Sequence, residues 1–115
     1  MNIEELRSYC LSFPATTEDV KWGNDLCFSV GGKMFCVTGL DAPFSASFKV
    51  RDTEFEELTQ REGVIPAPYM ARNNWVLVRS VEALSVEEWK RYVRQSYELV
   101  FAKLTRKIQA QVTGK

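Results

Sequence analysis

The stretch LCFSVGGKMFCVTG, residues 26 to 39, constrains the fold more than any other part of the chain. Two alternating apolar runs flank Gly31-Gly32. A pair of glycines there favours a two-residue type I′ hairpin turn, because both central positions need positive φ. Counting outward from the turn pairs Val30 with Lys33, Ser29 with Met34, Phe28 with Phe35, Cys27 with Cys36 and Leu26 with Val37. Leu26, Phe28, Val30, Phe35 and Val37 then share one face, the core face. Cys27, Ser29, Met34, Cys36 and Thr38 share the other.

Other segments fall into place around this hairpin. EDVKW, closed by Gly23-Asn24, reads as a short preceding strand, and SASFKV alternates as another antiparallel strand. WVLVRSV supplies a last one. Asn2 and Glu5 frame the start of a short helix with Ile3, Leu6, Tyr9, Cys10 and Phe13 on one stripe, stopped by Pro14. DTEFEELTQREG predicts a helix of about three turns, capped at Asp52 or Thr53, boxed by Glu56 and ended by Gly63. Ser85 and Glu88 open a long helix whose buried stripe is Val86, Trp89, Val93, Tyr97, Val100, Leu104 and Ile108. Strands joined by hairpins, with helices on one face, predict an α+β two-layer sandwich.

With 115 residues, 45% hydrophobic and 26% charged, the chain fits one domain with a real core. We place that domain at residues 1–110, followed by a short C-terminal tail, 111–115. No stretch approaches the roughly 18 apolar residues of a membrane span, and Glu4 and Glu5 stand where a signal peptide needs basic residues. A cytoplasmic protein with no membrane partner is expected. There is no histidine, which excludes histidine triads, histidine metal sites and the commonest general base near neutral pH. A non-catalytic role, without cofactor or metal, follows as the expectation. Net charge is zero, but residues 1–84 carry 8 Lys/Arg against 12 Asp/Glu and residues 85–115 carry 7 against 3. Drawn as one continuous helix from Val86, the C-terminal positive charges ring the axis and form no stripe.

FPATTEDVKWG, FSVGGKMFCV, SFKV, IPAPYMARNNWVLV and SYELVFAKL, in that order over about residues 5 to 107, resemble the MmcQ/YjbR family. The resemblance implies a CyaY-like fold, that of the bacterial frataxin homologue: an antiparallel sheet with helices packed on one face. It also implies DNA binding in a double-wing arrangement; with no basic stripe on the last helix, any such binding is expected to be weak, salt-sensitive and made by the hairpin and loop. The matching motifs pick out Lys33 beside the hairpin turn, Lys49 on its strand, and Arg72, Asn73, Asn74 and Trp75 in the loop. Asn73 and Asn74 would bond base edges or phosphate, and Tyr69 or Trp75 would stack on bases. The sparse acidic set Glu4, Glu5, Glu18, Asp19 and Asp25, interrupted by Lys21, argues against frataxin-like iron binding.

Two further expectations come from the residues themselves. Cys27 and Cys36, paired by counting at a non-hydrogen-bonded site, would bring α-carbons to about 4.5 Å, within disulfide range; they are a candidate redox pair, set against the blander role of small buried residues. The alternative to DNA is a small anionic ligand or a protein partner, held by a polar sheet face of Ser29, Thr38, Ser47 and Lys49 beside the loop 66–75. Trp75 opens an apolar strand, so core packing competes with any binding role for it.

Overall fold

The computed structural model describes residues 1–68 and 70–114. Helix α1 (Ile3–Leu11) starts where the Asn2 side chain accepts the Glu5 amide (2.8 Å). Strands β1 (Thr17–Lys21), β2 (Asp25–Val30), β3 (Lys33–Gly39) and β4 (Ala46–Lys49) follow. Next come helix α2 (Asp52–Leu58), the short strand β5 (Val64–Pro66) and strand β6 (Trp75–Val78). Helices α3 (Val86–Ala102) and α4 (Arg106–Val112) close the chain. The six strands form one antiparallel sheet in the order β1-β2-β3-β4-β6-β5. The main core lies between one face of this sheet and the helices, with Phe28, Phe35 and Phe48 of the sheet meeting Trp89, Tyr92, Val93 and Tyr97 of α3. The expected α+β architecture is the one observed. The β5 strand, inside the stretch read as a loop, is an addition to it.

The hairpin turn forms as expected, with Gly31 at φ +59° and Gly32 at +81°. Register beyond it departs from simple counting. Val30 opposes Lys33 and Ser29 opposes Met34, but a bulge then places Phe28 opposite Cys36, Cys27 opposite Val37 and Leu26 opposite Thr38. One extra residue in β3 moves every later side chain to the other face. Val37 therefore leaves the helix side, while Cys36 joins Phe35 in the helix-side core. Cys27 and Cys36 are not a cross-strand pair but lie on opposite faces, which corrects the expected redox pair. Cys36 instead meets Cys10 of α1, and the Cys10 thiol is pushed far up by its hydrogen bond to Cys36 and by burial.

A single hydroxyl holds the bulge in place. Ser96 of α3, fully buried, donates to the Phe35 carbonyl (2.6 Å) and accepts the Lys49 amide (2.9 Å). The β3–β4 ladder stops at Cys36–Phe48, so Ser96 occupies the next rung and docks α3 against both strands.

The helices differ from expectation at their ends. Arg51, not Asp52 or Thr53, is the N-cap of α2, its amide donating to Glu54 (2.9 Å); Asp52 is engaged by the Asn74 side chain. The helix stops at Leu58, short of Gly63, and Arg61 leaves it to form a two-pronged ion pair with Glu88 (2.8 and 3.1 Å). The last helix is two. Thr105 caps α4 by accepting the Ile108 amide (3.2 Å), and Gln109 donates back to the Phe101 carbonyl (3.0 Å), so the chain breaks at 103–105. Val86, placed on the buried stripe by spacing, is 52% exposed in the first turn of α3.

Ser96→Ala leaves a buried carbonyl and a buried amide without a partner. It should cost about 3 kcal/mol, seen as a lowered urea midpoint; a loss under about 0.5 kcal/mol would mean these groups find other partners. Glu88 gives a second expectation. Arg61, then the Ser85 amide, hold its carboxyl down at about 2. A depressed carboxylate stabilises the fold above its unfolded pKa and loses that contribution as pH falls through the folded one. Between about pH 5 and 2 the wild type should lose about 1 kcal/mol more than Glu88→Gln, the value kept small because the pair is partly solvated.

Candidate functional site

Lys33, Lys49 and Lys103 meet in one cleft of about 330 Å³ at the end of the open sheet face, walled by Met34, Met70, Asn73, Trp75, Val100 and Leu104. Each lysine arrives by a different constraint. Lys33 is the first residue after the Gly-Gly turn. That turn presses on the α3–α4 junction so closely that a Cβ on Gly31 would stand 2.6 Å from Leu104 and 2.8 Å from Ile108. Lys49 ends β4 opposite Trp75, its amide fixed by Ser96. Lys103 is the C-cap of α3, where a cation is favoured by the helix dipole.

Two of these ammoniums, those of Lys49 and Lys103, lie close enough to interact. Burial, then the charge of Lys103 and a hydrogen bond with its side chain, hold Lys49 below the ordinary lysine value, and Asp52 offsets this in part. Among the described residues lining the cleft, none carries a carboxylate. An anion seated there would relieve the repulsion and accept several charge-assisted hydrogen bonds.

Of the residues singled out by sequence, Lys33, Lys49, Asn73 and Trp75 are brought together here. Trp75 is only 6% exposed and packs with Cys27, Val37 and Ala67, so it walls the cleft and offers no open ring face. Arg72 lies exposed on a 3-10 turn (Ala71–Asn73), outside the cleft lining. Asn74 takes the left-handed conformation (φ +63°), donates to Asp52 and accepts the Val50 amide (2.9 Å). Its work is structural. Tyr69 lies outside the described residues.

The open face is also less polar than expected. Thr38 points to the helix side and donates to the Ser45 carbonyl (2.7 Å). Beyond the bulge Val37 takes its place among Cys27, Trp75, Met34, Met70 and Leu77. Lys103 and Met70 were missed by sequence reasoning, Lys103 because the helix was drawn unbroken; Thr105, a capping residue three positions before Ile108, was the available signal. Glu18 pairs with Arg7 (2.6 and 2.7 Å). Among the described residues no three His, Cys, Asp or Glu converge as a metal set, and no helix is long and apolar enough to cross a membrane.

A family model described as YjbR matches residues 11–99. The crystal structure of Deinococcus radiodurans protein DR2400, which carries a DUF419 domain, is 26% identical, with a TM-score of 0.88 over 97% of this chain and 88% of that one. A Pseudomonas syringae protein shares the fold at 19% identity and a TM-score of 0.71, over 86% of this chain and 98% of that one. No curated protein matches the chain.

If Lys103 helps depress Lys49, Lys103→Met should move the Lys49 pKa upward toward the ordinary lysine value, without full recovery because burial persists. Side-chain NMR titration of Lys49 checks this; an unchanged value would mean that the two ammoniums do not interact.

Proposed function

The chain belongs to the YjbR family, and on that footing we propose that it acts by binding, without chemistry of its own, and that its lysine cleft receives a phosphate group of the ligand. One observation carries this: Lys33, Lys49 and Lys103 share a single cleft with no carboxylate among its described lining. Folding gains nothing from gathering three like charges, and the Lys103 ammonium adds to burial in holding Lys49 below the ordinary lysine value. Phosphate, with oxygens on all sides, suits three separate ammonium donors. The absence of histidine from the chain supports a non-catalytic role.

A nucleic-acid strand is the second source of such a phosphate, in keeping with the expectation of DNA binding. What favours it is the position of Lys33 at the hairpin end, beside the junction from which α4 continues with Arg106 and Lys107. A strand leaving the cleft could meet those cations in turn. Duplex recognition has less support, because Arg72 stands outside the cleft lining.

Calorimetric titration with inorganic phosphate, beside anisotropy of labelled single- and double-stranded DNA at two salt concentrations, tests the proposal. Phosphate should bind at low salt and lose about tenfold in affinity, ~1.4 kcal/mol, in Lys49→Ala and in Lys103→Ala. Any DNA binding should weaken with salt and fall in the same variants. A folded protein that ignores phosphate at low salt, or binds it equally well without Lys49 and Lys103, would overturn the assignment.

A further inference from the structure

Trp22 is the side chain that the fold does least to explain. It is 68% exposed and its φ is +52°, a left-handed conformation that is a genuine outlier for a bulky residue. With Gly23 at φ +82° it makes the β1–β2 turn, where Asn or Gly would serve without strain. Large exposed aromatics and local strain concentrate where something binds. The indole stands at the rim of a trough of about 690 Å³ on the open sheet face, lined also by Asp25, Val37, Ser47, Met70 and Leu77. Met70 lines both this trough and the lysine cleft, so the two adjoin.

Charge differs between the two ends of this face. Lysines occupy one end, apolar side chains the middle, and Asp25 the far end, where Lys21 of β1 stands opposite it. Lys49 lies one residue beyond the Phe48–Cys36 pair, and Gly39, opposite Asp25, lies three residues beyond it in the other direction. Four strand residues span about 13 Å. Asp25 on β2 and Lys49 on β4, two strands apart, add about 10 Å across the sheet, so their backbones stand about 16 Å apart and the lysine stem covers part of the gap. A compact ligand could therefore place an anion at the lysines, lay a flat apolar ring over Val37 and Leu77 beside Trp22, and turn an N–H donor toward Asp25.

We infer that the trough and the lysine cleft are one bipartite site for a single nucleoside phosphate, its base stacked on Trp22 and its phosphate held by Lys33, Lys49 and Lys103. The inference rests on the phosphate assignment made above for the cleft. Base stacking on an aromatic ring should separate a nucleotide from bare phosphate by about tenfold in affinity.

The test titrates inorganic phosphate, adenosine 5′-monophosphate, adenosine and a 5′-phosphorylated oligonucleotide into the wild-type protein and Trp22→Ala, following calorimetry and tryptophan emission. Adenosine monophosphate should bind at least tenfold more tightly than phosphate or adenosine and quench the exposed indole. Trp22→Ala, a change at an exposed turn, should lose that advantage while keeping phosphate affinity. Phosphate bound with no gain from the base, or a gain that survives in Trp22→Ala, would overturn the bipartite site and leave the phosphate assignment standing. Binding of neither would remove both. An oligonucleotide that outcompetes the mononucleotide would overturn the commitment to a single nucleotide.

Discussion

The Ser96 hydroxyl is the hinge of the architecture. It sits where β3 and β4 stop pairing, gives its proton to Phe35 and takes the Lys49 amide. In a core made mostly of apolar side chains, two backbone groups would be left without partners if that hydroxyl were absent, and such groups are costly. Filling the gap from a helix has a consequence a continuous ladder would not have: the position of α3 is tied to the bulge. Because the bulge decides which face each β3 residue occupies, the helix, the strand register and the composition of the open face are set together.

The lysine cleft inherits its geometry from the same arrangement. Lys49 leaves the sheet at the residue whose amide Ser96 holds, and Lys103 ends the helix that Ser96 docks. Gly31 then lets the hairpin tip lie against Leu104 and Ile108, a contact with no room for a Cβ, and so brings Lys33 beside them. Backbone constraints thereby place the stems of three lysines around one cleft. An anion then has only their side chains, and no backbone, to order on binding.

Legibility in the sequence followed the range of the interactions. The Gly31-Gly32 turn, the Asn2 and Ser85 caps and the two-layer architecture rest on contacts within a few residues, and they could be read directly. The bulge could not, because it depends on Ser96, some 61 residues from Phe35; alternation alone put Cys36 opposite Cys27 and Thr38 on the open face. The split of the last helix was written in Thr105 but outweighed by an apolar period that runs on into Ile108. Lys33, Lys49, Asn73 and Trp75 were picked out by resemblance and do converge, whereas Asn74 and Asp52, which satisfy each other, show that polar loop residues can be spent on the loop itself. Trp22 gave no periodic signal at all. Only its exposure and backbone conformation mark it.

The most direct test of the central claim is an amide NMR map of the protein titrated with inorganic phosphate. The account predicts shifts concentrated at Lys33, Met34, Lys49, Asn73 and Lys103, segments distant in sequence but joined in the cleft. Shifts centred instead on Arg72, outside the cleft, or scattered over the surface without saturation, would contradict it.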